Sequence, residues 1–236
     1  MVKKIIERGA VEMGLTLPAE ATALFEAYYR MLEKRGEKVN LTAIAGAEDV
    51  ARLHFLDSLA LLKATSFQNA RVIDIGSGAG FPGVPLKLAE LSAELTLLDA
   101  TGKRVAFLSD LCAELDIGVV CIHARAEERA HDPDMREMFD VAVSRAVARL
   151  HALCELCLPY VRIGGVFLAM KGTDSAEEMK EAGASIQAMG AELEDTIDYK
   201  IPETEIMHRI IVIRKTAVTP MQYPRRFAKI QKSPLR

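Results

Sequence analysis

The segment Val72-Ile73-Asp74-Ile75-Gly76-Ser77-Gly78-Ala79-Gly80-Phe81-Pro82-Gly83 sets a carboxylate at the end of a branched apolar run and then four glycines. Glycines at a strand-to-helix turn let a cofactor approach backbone N–H groups that a side chain would block. Two registers compete. Gly78, Gly80 and Gly83 satisfy G-x-G-x-x-G, which favours a nicotinamide or flavin dinucleotide. Gly76, Gly78 and Gly80 behind Asp74 satisfy D-x-G-x-G-x-G, the pattern of S-adenosylmethionine (AdoMet) methyltransferases. Charge discriminates between them: a pyrophosphate is repelled by an acid ending the strand, whereas AdoMet brings an ammonium and a sulfonium for which Asp74 is a favourable neighbour. Asp74, Gly76 and Gly78 are therefore expected to bind AdoMet. Asp99, 19 residues after Gly80, ends a second apolar run, Leu95-Thr96-Leu97-Leu98. An acid there can accept both ribose hydroxyls, a role common to NAD and AdoMet sites; alternatively it caps a helix starting near Thr101.

The acceptor chemistry is read from the far strands. Exocyclic-amine methyltransferases carry an Asp or Asn before Pro-Pro and an aromatic after strand four, and cytosine-C5 enzymes need a cysteine there. Asp140-Val141-Ala142-Val143-Ser144-Arg145-Ala146 supports neither. Arg145 at the end of that strand and Lys171 at the end of the next are expected as catalytic cations for an anionic or carbonyl-bearing substrate. N7 of guanine fits such a site, because its lone pair attacks a methyl sulfonium without prior deprotonation and needs positioning more than acid–base machinery.

These groups need a frame to hold them. Five short apolar runs, Val72–Ile75, Leu95–Leu98, Val119–Ile122, Val141–Val143 and Val166–Met170, alternate with helical stretches. That alternation predicts a doubly wound parallel sheet, since each parallel strand needs a crossover helix before the next. After a helix at Ser175–Met189, Glu192–Ile201 and Met207–Arg214 add strands six and seven as an antiparallel pair around Pro202-Glu203-Thr204-Glu205. Residues 1–66 read as helices only, with Ala19–Lys34 and Asp49–Lys63 separated by a break at Arg35-Gly36 and a Val39-Asn40-Leu41-Thr42 link. The expected organisation is a helical segment 1–66, a sheet domain 67–216 and a basic tail 217–236.

Composition, 50% hydrophobic and 27% charged over 236 residues, excludes a disordered chain. The charged start, Met1-Val2-Lys3-Lys4, and the absence of a long apolar run predict a cytoplasmic chain with no membrane span. Four cysteines are too few for a disulfide framework, and Cys154-x-x-Cys157 lies in an amphipathic helical pattern, so buried thiols and no metal site are expected. Net charge is −3, yet residues 206–236 carry eight basic side chains and no acid, leaving −3 − 8 = −11 on the rest. One basic face on an acidic body can still engage a polyanion through local counterion release, although a solvated tail would look the same.

Several of these motifs occur together in one order: Val39-Asn40-Leu41-Thr42, His54-Phe55-Leu56-Asp57-Ser58, Asp74 through Gly83, Leu97-Leu98-Asp99 with Lys103-Arg104, Ser144-Arg145-Ala146 and Met170-Lys171-Gly172. Over nearly its whole length the chain resembles the ribosomal small-subunit methyltransferase G family, also called glucose-inhibited division protein B. The resemblance implies a Rossmann-like class I AdoMet methyltransferase fold and N7-methylation of a guanine in bacterial 16S rRNA near the decoding region. It also implies the small ribosomal subunit as partner; a monomer is the plainer expectation. The resemblance carries the cofactor loop onto Gly76 and Phe81, the ribose acid onto Asp99, the adenine contact onto Ala126 and Glu127, and the strand-four arginine onto Arg145. It places Asn40, His54 and Asp57 in a substrate cleft and suggests Arg225 and Arg226, in a segment like the tail of the longer, Gram-positive-type members, as further RNA contacts. The alternatives are a methyltransferase for a small molecule or protein, a non-catalytic RNA-binding module on a relict fold, and an NAD-dependent oxidoreductase.

Overall fold

The computed structural model of the protein describes residues 1–39, 44, 46–145 and 147–235, with 36–39 by their backbone alone. Asn40, Leu41, Thr42 and Ala146 lie outside the described residues. Among the described residues seven strands form one sheet: β1 Arg71–Ile75, β2 Glu94–Asp99, β3 Val119–His123, β4 Phe139–Arg145, β5 Val161–Gly172, β6 Ala191–Lys200 and β7 Met207–Lys215. Their order is β3-β2-β1-β4-β5-β7-β6, with β1 to β5 mutually parallel and β7 antiparallel to both neighbours. The mostly parallel α/β sheet expected from the apolar runs is the one found. The β1/β4 boundary, where the strand order reverses, is where such a sheet opens a crevice at its carboxyl ends.

Side chains alternate across the sheet, as a pleated strand requires, and each face has its own core. On one face Val72, Leu97, Val143, Leu168 and Val212 pack under the N-terminal helices α1 (Val2–Glu12) and α2 (Ala21–Val39), together with α5 (Gly83–Ala89) and α6 (Gly102–Glu114). On the other, Ile73, Ala142, Phe167 and Ile211 meet α7 (Ala126–Arg129), α8 (Leu150–Cys157), α9 (Ala176–Ala188) and α10 (Phe227–Lys232). Cys154 and Cys157 are wholly buried in that second core. No helix among the described residues is long and apolar enough to cross a membrane.

Two expectations about the N-terminal helices need correction. Helix α2 runs through Gly36 to Val39, so there is no break at Arg35-Gly36. One interior glycine costs about 1 kcal/mol relative to alanine, and the burial of Phe25, Tyr28 and Leu32 earlier in the same helix outweighs it. The next helical run is not uniform: α3 (Ala47–Val50) widens into a π-helical turn at Ala51–Leu56, returns to α4 (Asp57–Leu59) and tightens into a 3-10 turn at Ala60–Lys63. The widened turn carries His54 and Asp57 opens the helix after it, and π-turns of this kind concentrate at functional sites. At its start Arg52 pairs with Glu203 (3.3 Å), which also accepts from Arg8 (3.0 Å), tying the β6–β7 turn to the N-terminal helices.

Residues 216–235 pack along the α8/α9 face. Lys215, completely buried, donates to Leu158 O at 2.9 Å and meets Glu137 at 3.0 Å. Arg136 donates to the carbonyls of Thr219 and Tyr223, and Ile230 of α10 is buried in the second core.

Candidate active site

The loop after β1 meets the end of β2 on one side and faces the switch point on the other. Gly76 has φ +73° and a Cβ there would stand 2.5 Å from the Val147 side chain; Gly80 has φ +105° and a Cβ would stand 2.5 Å from the Tyr28 hydroxyl. Both positions need glycine for backbone conformation and for clearance. Tyr28 in turn donates to Ala79 O at 2.6 Å, so α2 braces the loop from behind. A cleft of 390 Å³ opens in front, lined by Gly76, Gly78, Phe81, Asp99, Thr101, Arg104, Arg145, His54 and Val147 among others.

The two acids divide the work. Asp99 lines the cleft, with Oδ2 accepting Gly78 N at 2.9 Å and Oδ1 accepting Thr101 N at 2.8 Å. A carboxylate offers about four acceptor sites, so both oxygens keep capacity for ribose hydroxyls. Asp74 does not line the cleft; it is fully buried beneath the loop, where Oδ2 accepts Gly83 N at 2.8 Å. Its Oδ1 has no hydrogen-bond partner among the described residues. Burial raises its pKa to about 7, against the Gly83 bond and the charge of Arg145. An orphaned acidic oxygen under a glycine cradle fits a cofactor that brings a cation and suits a pyrophosphate poorly. AdoMet therefore fits the residues present: Gly76 and Gly78 by backbone approach, Asp99 toward the ribose, and Asp74 as the negative charge below.

The opposite wall is built by Arg145, His54 and Asp57, which the fold brings together from β4, the π-turn and α4. Arg145 donates to Asp57 Oδ2 (2.9 Å), Leu53 O (3.1 Å) and His54 Nδ1 (2.8 Å), and its guanidinium carbon lies 5.1 Å from the Phe81 ring centre. The His54 ring stacks on Phe81, 4.4 Å between centres. Burial first, and then the Arg145 charge, push the His54 pKa down to about 3, so the ring is neutral and accepts through Nδ1. Asp57, 1% exposed, also accepts at Oδ1 from Tyr199 Oη (2.6 Å) and His208 Nδ1 (2.8 Å). Burial would raise its pKa, but the bonds from His208 and Tyr199 and the Arg145 charge hold it below the usual carboxylate range. Tyr199 and His208, which sequence reasoning missed, hold Asp57 without lining the cleft themselves. Their only signal was that they face each other in the antiparallel pair.

Lys171 is corrected. The β4–β5 register sets Arg145 opposite Met170, so Lys171 emerges on the other face of the sheet, among the second core. There it donates to Ala148 O and Glu178 Oε1, both at 2.8 Å, and Glu178 also accepts Leu150 N at 2.6 Å. It anchors the connection between β4 and α8 and does not reach the cleft. Arg225 is likewise engaged away from the cleft: its guanidinium and its N–H hold both oxygens of the buried Glu155 on α8, all at 2.8 Å. Arg226 is exposed. Ala126 and Glu127 open α7, two residues beyond Ala124, whose N–H donates to Asp99 O at 3.2 Å. They stand outside the lining of the cleft.

Solved structures share this fold. The chain superposes on M. jannaschii TYW2 in complex with AdoMet with a TM-score of 0.52, 15% identity and coverage of 67% of this chain and 76% of that one. A SAM-dependent methyltransferase from Aquifex aeolicus matches with a TM-score of 0.51 at 15% identity, over 69% of this chain and 92% of that one. The profile of the family described as rRNA small subunit methyltransferase G matches residues 21–207. The Ribosomal RNA small subunit methyltransferase G of Acetivibrio thermocellus is 40% identical over 99% of this chain and 97% of its own length. That of Caldanaerobacter subterraneus subsp. tengcongensis is 43% identical over the full length of both. The chain, with its glycine cradle and its Arg145 wall, belongs to the rRNA small subunit methyltransferase G family.

Proposed function

We propose that the chain transfers a methyl group from AdoMet to N7 of one guanine in the 16S rRNA of the small ribosomal subunit, in the decoding region, acting as a monomer in the bacterial cytoplasm. The observation that carries the reading is the composition of the cleft: a glycine cradle closed by Asp99 on one side and a neutral His54 with a fixed Arg145 on the other. When bound, AdoMet supplies a methyl group made electrophilic by its sulfonium.

The walls are suited to hold a base and do not offer one of their own. Among the described residues the sole carboxylate lining the cleft is Asp99, and both its oxygens already accept backbone N–H groups. His54 is neutral but its Nδ1 is engaged by Arg145, and Asp57 behind it takes three side-chain donors. N7 carries its lone pair in the ring plane and holds no proton, so transfer to it needs no general base; removing a proton from an exocyclic amine would. Phe81 and the His54 ring stacked on it are buried behind this wall, and Arg145 offers a fixed cation beside them.

The direct test is transfer of labelled methyl from AdoMet to small ribosomal subunits from a strain lacking this gene, then nuclease digestion and identification of the modified nucleoside. 7-Methylguanosine is the expected product. Label in any other nucleoside, or in protein alone, would reject the assignment.

A further inference from the structure

We propose that Tyr199 and His208 are positioning residues for methyl transfer: by clamping one oxygen of Asp57 they turn its other oxygen toward Arg145 and so fix the guanidinium over Phe81 at the mouth of the cleft. The inference rests on the methyltransferase reading above.

Asp57 has an unusual set of partners for an almost fully buried carboxylate. Tyr199 Oη and His208 Nδ1 both donate to Oδ1, at 2.6 and 2.8 Å, while among the described residues only Arg145 donates to Oδ2, at 2.9 Å. A terminal carboxylate torsion is broad and roughly two-fold, so a single arginine would not define its plane. Two donors arriving from the other side do. They come as one unit, because Tyr199 and His208 are directly opposed in the β6–β7 ladder with their rings edge to face, 6.1 Å apart. The turn of that hairpin is itself tied through Glu203 to Arg52, two residues before His54. Hairpin, π-turn and β4 therefore close a ring of contacts around one guanidinium, and Arg145 completes it through Leu53 O and His54 Nδ1.

The clamp lies beside the cleft without lining it. Neither Tyr199 nor His208 is among the cleft's residues, so neither touches the reacting atoms and both act through Asp57 and Arg145. The His208 pKa is raised by the Asp57 bond and charge, with burial and Arg145 opposing. Its Nδ1–H donates in the neutral and charged rings alike, so the clamp holds across neutral pH.

The experiment compares full-length wild type with Tyr199→Phe, His208→Ala and His208→Asn. For each, AdoMet affinity is measured by calorimetry, kcat and KM on unmethylated small subunits by label transfer, and the Arg145 guanidinium by NMR, where a held group shows separate Nη resonances and a freely rotating one shows averaged signals. Tyr199→Phe and His208→Ala are expected to lower kcat by about tenfold or more with AdoMet affinity unchanged within about twofold, and to average the Arg145 signals. His208→Asn, whose amide can donate from near the Nδ1 position, is expected to recover most of both. Wild-type kcat in both deletion variants, or unaltered Arg145 resonances, would overturn the proposal. A loss that follows the melting temperature, appears equally in AdoMet affinity and is not recovered by His208→Asn would also overturn it, making the pair a brace of the hairpin only. If wild-type protein transfers no methyl to the subunit, the functional reading fails by itself, while the Arg145 resonances still decide whether the clamp holds.

Discussion

Asp99 and Asp74 end neighbouring strands, yet one is a cleft-facing acceptor and the other a buried carboxyl. Removing Asp99 leaves the N–H groups of Gly78 and Thr101 without their acceptor and takes away the partner for a ribose. With hydrogen bonds to a charged group each contributing about 1.5–3 kcal/mol, Asp99→Ala is expected to weaken AdoMet binding about 100-fold and Asp99→Asn about tenfold by calorimetry. An alanine variant within about threefold of wild type would remove Asp99 from the cofactor site. For Asp74 the prediction concerns pH. Its folded pKa, about 7, lies above the ordinary 3.8, so between those values the folded protein keeps a proton the unfolded chain has lost, and stability falls as pH rises. Asp74→Asn keeps an acceptor for Gly83 N, adds a donor at the orphaned position and abolishes that slope. Cofactor-free variant should melt about 5 °C above wild type at pH 8 and level with it near pH 4. Added AdoMet should stabilise wild type more than the variant, since only wild type carries the charge; parallel melting curves without a crossing dependence on pH would refute this.

At the scale of elements, the connection between β4 and α8 is what roofs the cleft. Val147 stands against Gly76, and the connection is pinned from the opposite face of the sheet by Lys171 on Ala148 O and by Glu178 on Leu150 N. Lys171→Met should therefore act on cofactor affinity, raising the AdoMet Kd about three- to tenfold, with a single-turnover rate at saturating AdoMet near wild type. A catalytic cation would give the reverse pattern, an unchanged Kd and a collapsed rate. The π-turn at Ala51–Leu56 belongs to the same scale. It brings the Leu53 carbonyl and the His54 ring to the same guanidinium that Asp57 of the following α4 accepts.

For the whole molecule, the question is how a chain of net charge −3 approaches an anionic rRNA. The C-terminal segment divides its cations into two kinds. Lys215 and Arg225 are structural, held by Glu137 and by the buried Glu155. Arg226, Lys229 and Lys232 are exposed and have no acidic partner among the described residues. Arg225→Ala leaves Glu155 as an uncompensated buried charge and is expected to cost about 3–5 kcal/mol of stability, seen in denaturant melts, where a loss under about 1 kcal/mol would contradict the buried pairing. Replacing Arg226, Lys229 and Lys232 together by alanine should leave the melting temperature alone, weaken subunit binding and flatten the slope of log K against log salt by roughly 2–3. An unchanged slope would take this face out of the RNA interface.

The sequence alone was enough for the sheet, the cradle and the family, because each is written in local pattern. Apolar runs of strand length separated by helical periods dictate a parallel sheet, and glycines behind an acid dictate backbone approach by a cofactor. Arg145, Asp99 and Gly76, which the motifs singled out, line one cleft. What local pattern does not carry is which face a side chain takes and which distant group it meets. Lys171, like Arg145, is a cation at the carboxyl end of a central strand, and the pairing of Arg145 with Met170 sends it to the opposite face, since a register shift of one residue exchanges the two faces of a strand. Arg225 reads as a free cation until the fold lays it on Glu155, 70 positions earlier. Tyr199 and His208 are 142 and 151 positions from the Asp57 they clamp. A buried carboxylate must find its donors wherever the chain returns to it, and where the chain returns was decided by tertiary structure.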